Sequence, residues 1–128
     1  MISIESRVIT YLQDTLKVDA YAEIPADPDG KTFLLIDKTG SSRSNHIPSA
    51  IIAVQSFAPS KAEASALNDK VVEAMLALPE QPDISACRLN SDYEYTDTSL
   101  KLYRYQVLFN IVYFDQQEGI YTWLLQLM

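Results

Sequence analysis

One stretch constrains the fold of this chain more than any other. Across residues 100–115 the side chains alternate with a period of two. Tyr103, Tyr105, Val107, Phe109, Ile111 and Tyr113 hold the odd positions, and Arg104, Gln106, Leu108, Asn110, Val112 and Phe114 the even ones. A strict period of two is the mark of a β-strand, whose side chains point to opposite faces in turn. The odd face is wholly apolar or aromatic and the even face is partly wet. That pattern predicts an antiparallel strand with one face covered by helices. Just upstream, Cys87, Leu89, Tyr93 and Tyr95 alternate with Arg88, Asn90, Asp92 and Glu94. A turn near Asp97 and Thr98 links the two runs, which predicts a hairpin.

Helices to cover that face are legible elsewhere. Ile4, Val8, Leu12 and Leu16 recur every four residues, with Ile9 and Tyr11 beside them. Ser3 can cap this helix, and Glu5 sits well in its first turn. A second helix begins after Ala58-Pro59 with a capping box, in which Ser60 and Glu63 satisfy each other's backbone donors. Leu67, Val71, Met75 and Leu78 form its apolar stripe, and Pro79 and Pro82 end it. Between the helices, residues 18–24, 32–37 and 51–57 read as strands. Pro25 to Gly30 is a turn. The expected fold class is α+β, with an antiparallel or mixed β-sheet and two helices packed on one face, in the order α-β-β-β-α-β-β. At 128 residues the chain is expected to form a single domain. Residues 119–128 are an apolar tail with no clear helix or strand pattern.

The segment from Thr39 to Ser49 reads as a long polar loop between two strands. Its candidate contact residues are Ser41, Ser42, Arg43, Ser44, Asn45 and His46. Long loops without structure are uncommon in small domains, so this one is either a contact surface or an idle connection.

Chemistry finds little purchase. His46 is the single histidine, which excludes clusters of histidines around a metal and paired-histidine acid–base schemes. Three serines beside His46 lack a local motif for an orienting carboxylate or an oxyanion hole. Asp27, Asp29 and Gly30 resemble the start of a calcium loop, but Thr32 and Leu34 fall where further ligands belong. Asp92, Glu94 and Asp97 read as a solvated hairpin edge that discourages aggregation. Cys87, the lone cysteine, can form no internal disulfide and reads as a small core residue. With 3 glycines in all, the chain has no phosphate-cradling motif. The expectation is no cofactor, no metal and no catalytic residue.

Charge narrows the partners. A net charge of −7 opposes binding to a phosphate backbone, so no sequence-specific nucleic-acid binding is expected. Stacking of bases on the tyrosine strand is less favoured than core packing for the same reason. No apolar run approaches the ~18 residues needed to span a bilayer. The opening residues lack a basic segment followed by an apolar run, so no signal peptide is expected.

Taken together, the helix VITYLQDTL, the strand–helix unit IIAVQSFAPSKAEASALNDKVVEAML and the strand YRYQVLFNIVYF resemble a known family. They are similar to the small tail-terminator or tail-completion (head–tail joining) proteins of long-tailed, non-contractile bacteriophages and their prophages. The similarity covers residues 4–114. It implies a structural virion protein, made in the host bacterial cytoplasm, that assembles as a hexameric ring on the end of the tail tube. Its partners would be copies of itself, the tail tube protein and the head–tail connector proteins. The family carries no catalytic residues, and its long inter-strand loop serves ring or tube contacts. An acidic ring would also let DNA slide through by like-charge repulsion, although solubility alone explains the charge equally well. The alternative from the residues themselves is a small-molecule-binding or enzymatic α+β domain, with a pocket near Cys87 and the tyrosine strand.

Overall fold

The computed structural model describes residues 3–44, 47–94 and 103–114. Two helices and a five-stranded mixed sheet make an α+β fold, as the patterning predicts. The order is α1 (Ile4–Leu16), β1 (Ala20–Tyr21), β2 (Phe33–Ser44), β3 (Ile47–Ala58), α2 (Lys61–Leu76), β4 (Ile84–Glu94) and β5 (Tyr103–Tyr113). A short 3-10 turn, Leu78–Glu80, follows α2 and contains Pro79. The strands lie side by side as β1-β2-β3-β5-β4. All neighbours are antiparallel except β1 and β2, which run parallel.

Both helices start where the capping residues say they should. The Ser3 hydroxyl accepts from the Ser6 amide, and Ser60 accepts from Glu63 at 3.2 Å. Each cap satisfies an amide that the first helical turn leaves without a partner. Helix α1 ends on Lys17 in the left-handed region at φ 56°, its amide donating to the Gln13 carbonyl. A side chain in that conformation is strained, which is why glycine is the usual residue there.

The core lies between the helices and one face of the sheet, here called the inner face. Leu34 and Ile36 of β2, Ile52 and Val54 of β3, and Val107, Phe109 and Ile111 of β5 are all fully buried. They meet Val8 and Leu12 of α1 and Val71 and Met75 of α2 in one cluster. Polar clamps fix the helices. Arg7 grips Asp83 through two hydrogen bonds of 2.8 and 3.1 Å and donates to Gln81 at 3.0 Å. Tyr11 donates to the Ala74 carbonyl at 2.7 Å, which ties α1 to α2.

Several boundaries differ from the sequence expectation. The supposed loop from Thr39 to Ser49 is largely sheet: β2 runs to Ser44, and β3 begins at Ile47. Ladder bonds use the backbone, so a strand end with polar residues on both faces pairs as well as an apolar one but shows no alternation. The strand expected over residues 18–24 shrinks to Ala20–Tyr21. A bulge between Leu89 and Ser91 breaks the alternation of β4. One extra residue moves every later side chain to the other face. Tyr93 therefore lies opposite Gln106, away from the face of Cys87, while Leu89, ahead of the bulge, keeps the face of Cys87 and is 46% exposed on the edge strand. Asp92 and Glu94 are exposed on the edge strand, as the solvated-edge reading expects, and the shift turns both toward the side of α2. Asp92 accepts from Asn68 at 2.7 Å, and Glu94 pairs with Lys61 at 3.0 Å. Asp97, Thr98 and the apolar tail at 119–128 lie outside the described residues.

Two substitutions test this account. Phe109→Ala empties a fully buried site and is expected to cost about 3–5 kcal/mol of unfolding free energy. Lys17→Gly relieves the left-handed cap and is expected to add about 0.5 kcal/mol. Urea titrations of the variants against the parent chain measure both.

Candidate functional site

The residues expected to form a contact loop are divided by the strand they join. In β2, Ser41 lies opposite Ala50, Ser42 opposite Ser49, Arg43 opposite Pro48 and Ser44 opposite Ile47. Successive residues of a strand face opposite ways, so Ser41 and Arg43 fall on the inner side and Ser42 on the outer side. The hydroxyls of Ser42 and Ser49 are 2.7 Å apart. Asn45 and His46 lie outside the described residues. Ser41, Ser42 and Arg43 thus form no single patch, and what the strand builds instead is one end of the sheet's outer face.

That outer face is the most distinctive surface of the molecule. Neither helix packs on it. Its side chains come from alternate positions of four strands: Leu35 of β2, Ile51 and Gln55 of β3, Arg104, Gln106, Leu108, Asn110 and Val112 of β5, and Arg88 and Tyr93 of β4. Hydrogen bonds knit it across the strands. Gln55 donates to Gln106 at 2.7 Å, Gln106 donates to the Tyr93 hydroxyl, and Asn90 donates to Asn110 at 3.1 Å. Near β1 the face is already sealed. Phe33 and Phe57 stack at 4.5 Å between ring centroids, with Arg104 5.5 Å over Phe57. Toward the Ser42–Ser49 end it opens into a hollow of about 460 Å³, lined by Gly40, Ser42, Ser49, Ile51, Asn110 and Val112 among others.

Its charge is unlike that of the rest of the chain. The chain has 17 acidic residues against 10 basic ones. Among the described strand residues, the registers place one carboxylate, Asp37, on the outer face, against two guanidinium groups, those of Arg88 and Arg104. A sheet face that is part apolar, part amide and nearly free of acid has the composition of a protein contact surface, where charge is depleted and Tyr and Arg are retained. Reading the sequence left this face as merely partly wet. The signal was present in the mixed even positions of β5, but only the strand order shows that β3 and β4 extend the same mixture sideways.

A second hollow, of about 520 Å³, lies between the helices against Tyr11, Thr15, Leu16, Lys70 and Glu73. Burial is the main cause that pushes the Tyr11 hydroxyl pKa above its ordinary value. It keeps this group a neutral donor to Ala74.

Cys87 lies in the core, 7% exposed, beside the inner residues of β5. Burial alone pushes its thiol up to about 12. A thiol held neutral is a poor nucleophile, because the thiolate is the reactive form. Neither hollow described above is lined by it.

A scan against protein-family models finds no match, and a search of curated proteins finds no significant relative.

The buried thiol makes a prediction. The native chain is expected to resist a thiol reagent at mildly alkaline pH and to react at once in denaturant. Ionisation is favoured in the unfolded chain from pH 9.0 upward and in the folded chain only near 12. The unfolded state then binds fewer protons, so stability falls as pH rises through that window. Cys87→Ala is expected to flatten this part of the stability profile, as followed by denaturant midpoints.

Proposed function

We propose that this chain is a structural, non-enzymatic virion protein. It forms a ring on the end of a bacteriophage tail tube, stops tube polymerisation and joins tail to head. The observation that carries this reading is the outer sheet face: broad, braced by cross-strand hydrogen bonds and nearly free of acid on an acidic chain. Large, low-charge faces on small domains are made for other protein surfaces. The pattern likeness to tail-terminator proteins supplies the rest of the reading: copies of the chain as the first partner, then the tail tube protein and the connector.

A ring requires one patch of each copy to meet a different patch on the next. The fold offers two unlike sides for this, an outer sheet face and an exposed helical layer on the opposite side. The ends of β2 and β3 border the hollow and add a polar rim, of the kind that surrounds the core of protein interfaces.

Light scattering tests the reading directly. In solution or on added tail tubes, the expected mass is a whole multiple of the chain's, sixfold for a hexamer. Electron microscopy is expected to find the protein at tube ends. A strict monomer at high concentration that also ignores tail tubes would overturn the proposal.

A further inference from the structure

Helix α2 has two sides, and the core uses one. Ala64, Leu67, Asn68, Val71, Ala74 and Met75 are buried. On the opposite side Ala62, Ala66, Asp69, Glu73 and Leu76 are all exposed, Leu76 at 49%. Their spacing of three and four residues places them in one stripe along the helix. The stripe is small or apolar at three positions and acidic at two.

We propose that this stripe of one copy packs on the outer sheet face of the next copy, around the hollow beside Ile51 and Val112. The proposal rests on the ring reading above and names the surfaces that would build it.

Charge selects the pairing. Among the described strand residues the outer face carries Arg88 and Arg104 against one carboxylate, Asp37, whereas the stripe carries Asp69 and Glu73 with Lys70 on its flank. Stripe against stripe would gather carboxylates, and face against face would gather guanidinium groups. Like charges brought together across an interface are strongly disfavoured. Only the unlike pairing brings opposite signs together. An interface between unlike patches is heterologous, the type that builds a ring when its rotation closes.

Shape agrees with charge. Alanines at 62 and 66 let a helix approach a sheet closely, and Leu76 is a protruding apolar side chain with a hollow of about 460 Å³ available to receive it. The stripe from Ala62 to Leu76 is about 21 Å long at 1.5 Å per residue. Four strands at the usual spacing span about 14 Å between the outermost axes. The helix therefore covers the sheet when it crosses at a slant. The resulting sheet would carry helices on both faces, its own on one side and a neighbour's on the other.

Cross-linking tests the contact. Ala66→Cys and Asn110→Cys chains are made separately, mixed and treated with a bismaleimide spanning about 15 Å, the length of helix between Ala66 and Leu76, with the buried Cys87 as a silent background. The expected product is a mixed dimer joined between positions 66 and 110. Arg88→Glu is expected to weaken self-association about tenfold, and Glu73→Arg in the other chain to restore it. An oligomer of the expected mass without the mixed cross-link overturns this interface and leaves the ring reading standing. The absence of both oligomer and cross-link overturns the two together. Equal yields of 66–66 and 66–110 products, or an Arg88→Glu chain that associates as tightly as the parent, also overturn the proposed contact.

Discussion

The architecture depends on the packing of β3 at the centre of the sheet. β2 pairs with it along one side and β5 along the other, over nearly its whole length. Its inward residues Ala50, Ile52 and Val54 are fully or almost fully buried. They form the floor on which α2 lies, and α1 lies beside it against β1 and β2, tied to α2 by the bond from Tyr11 to Ala74. Each layer is placed by the one beneath it. Close packing transmits any change of volume at this floor to both helices.

Polar groups inside that core are few and specific. Asn68 is 2% exposed and holds Asp92, bringing β4 against the helix. Its carbonyl oxygen and the Ser56 hydroxyl have no partner among the described residues. Burying a polar atom costs on the order of 1–3 kcal/mol wherever no hydrogen bond is made. Asn68 fixes the position of the strand that carries the bulge. Without the bulge, Asp92 and Glu94 would point to the outer face and spoil its low acidity. The low acidity of the outer face along β4 thus depends on one inserted residue.

Much of this was legible in the residues, for identifiable reasons. The two capped helices and the alternation of β5 are local signals, written within a few residues of the elements they define. Where both faces of a strand are polar, as at Thr39 to Ser44, no alternation exists to read. The same text then describes a loop or a strand. The bulge at Asn90 is equally silent, because nothing in the local sequence says that one residue goes unpaired. The candidate surface suffered from both effects. Ser41, Ser42 and Arg43 looked like neighbours in one loop, but pairing with β3 sends them to alternate faces.

The sequence by itself determined the two helices, the alternation of β5 and much of the core, the burial of Cys87 included. These follow from periodicity and capping, which act over one or two turns of chain. Tertiary structure alone decided the order of the strands, the face on which each β4 side chain lies, and the gathering of Arg88, Gln106, Ile51 and Val112 onto one surface. Those residues are far apart in the chain, and only backbone hydrogen bonds between distant strands bring them together. A face of that kind is a property of strand register, and register is set by the whole sheet.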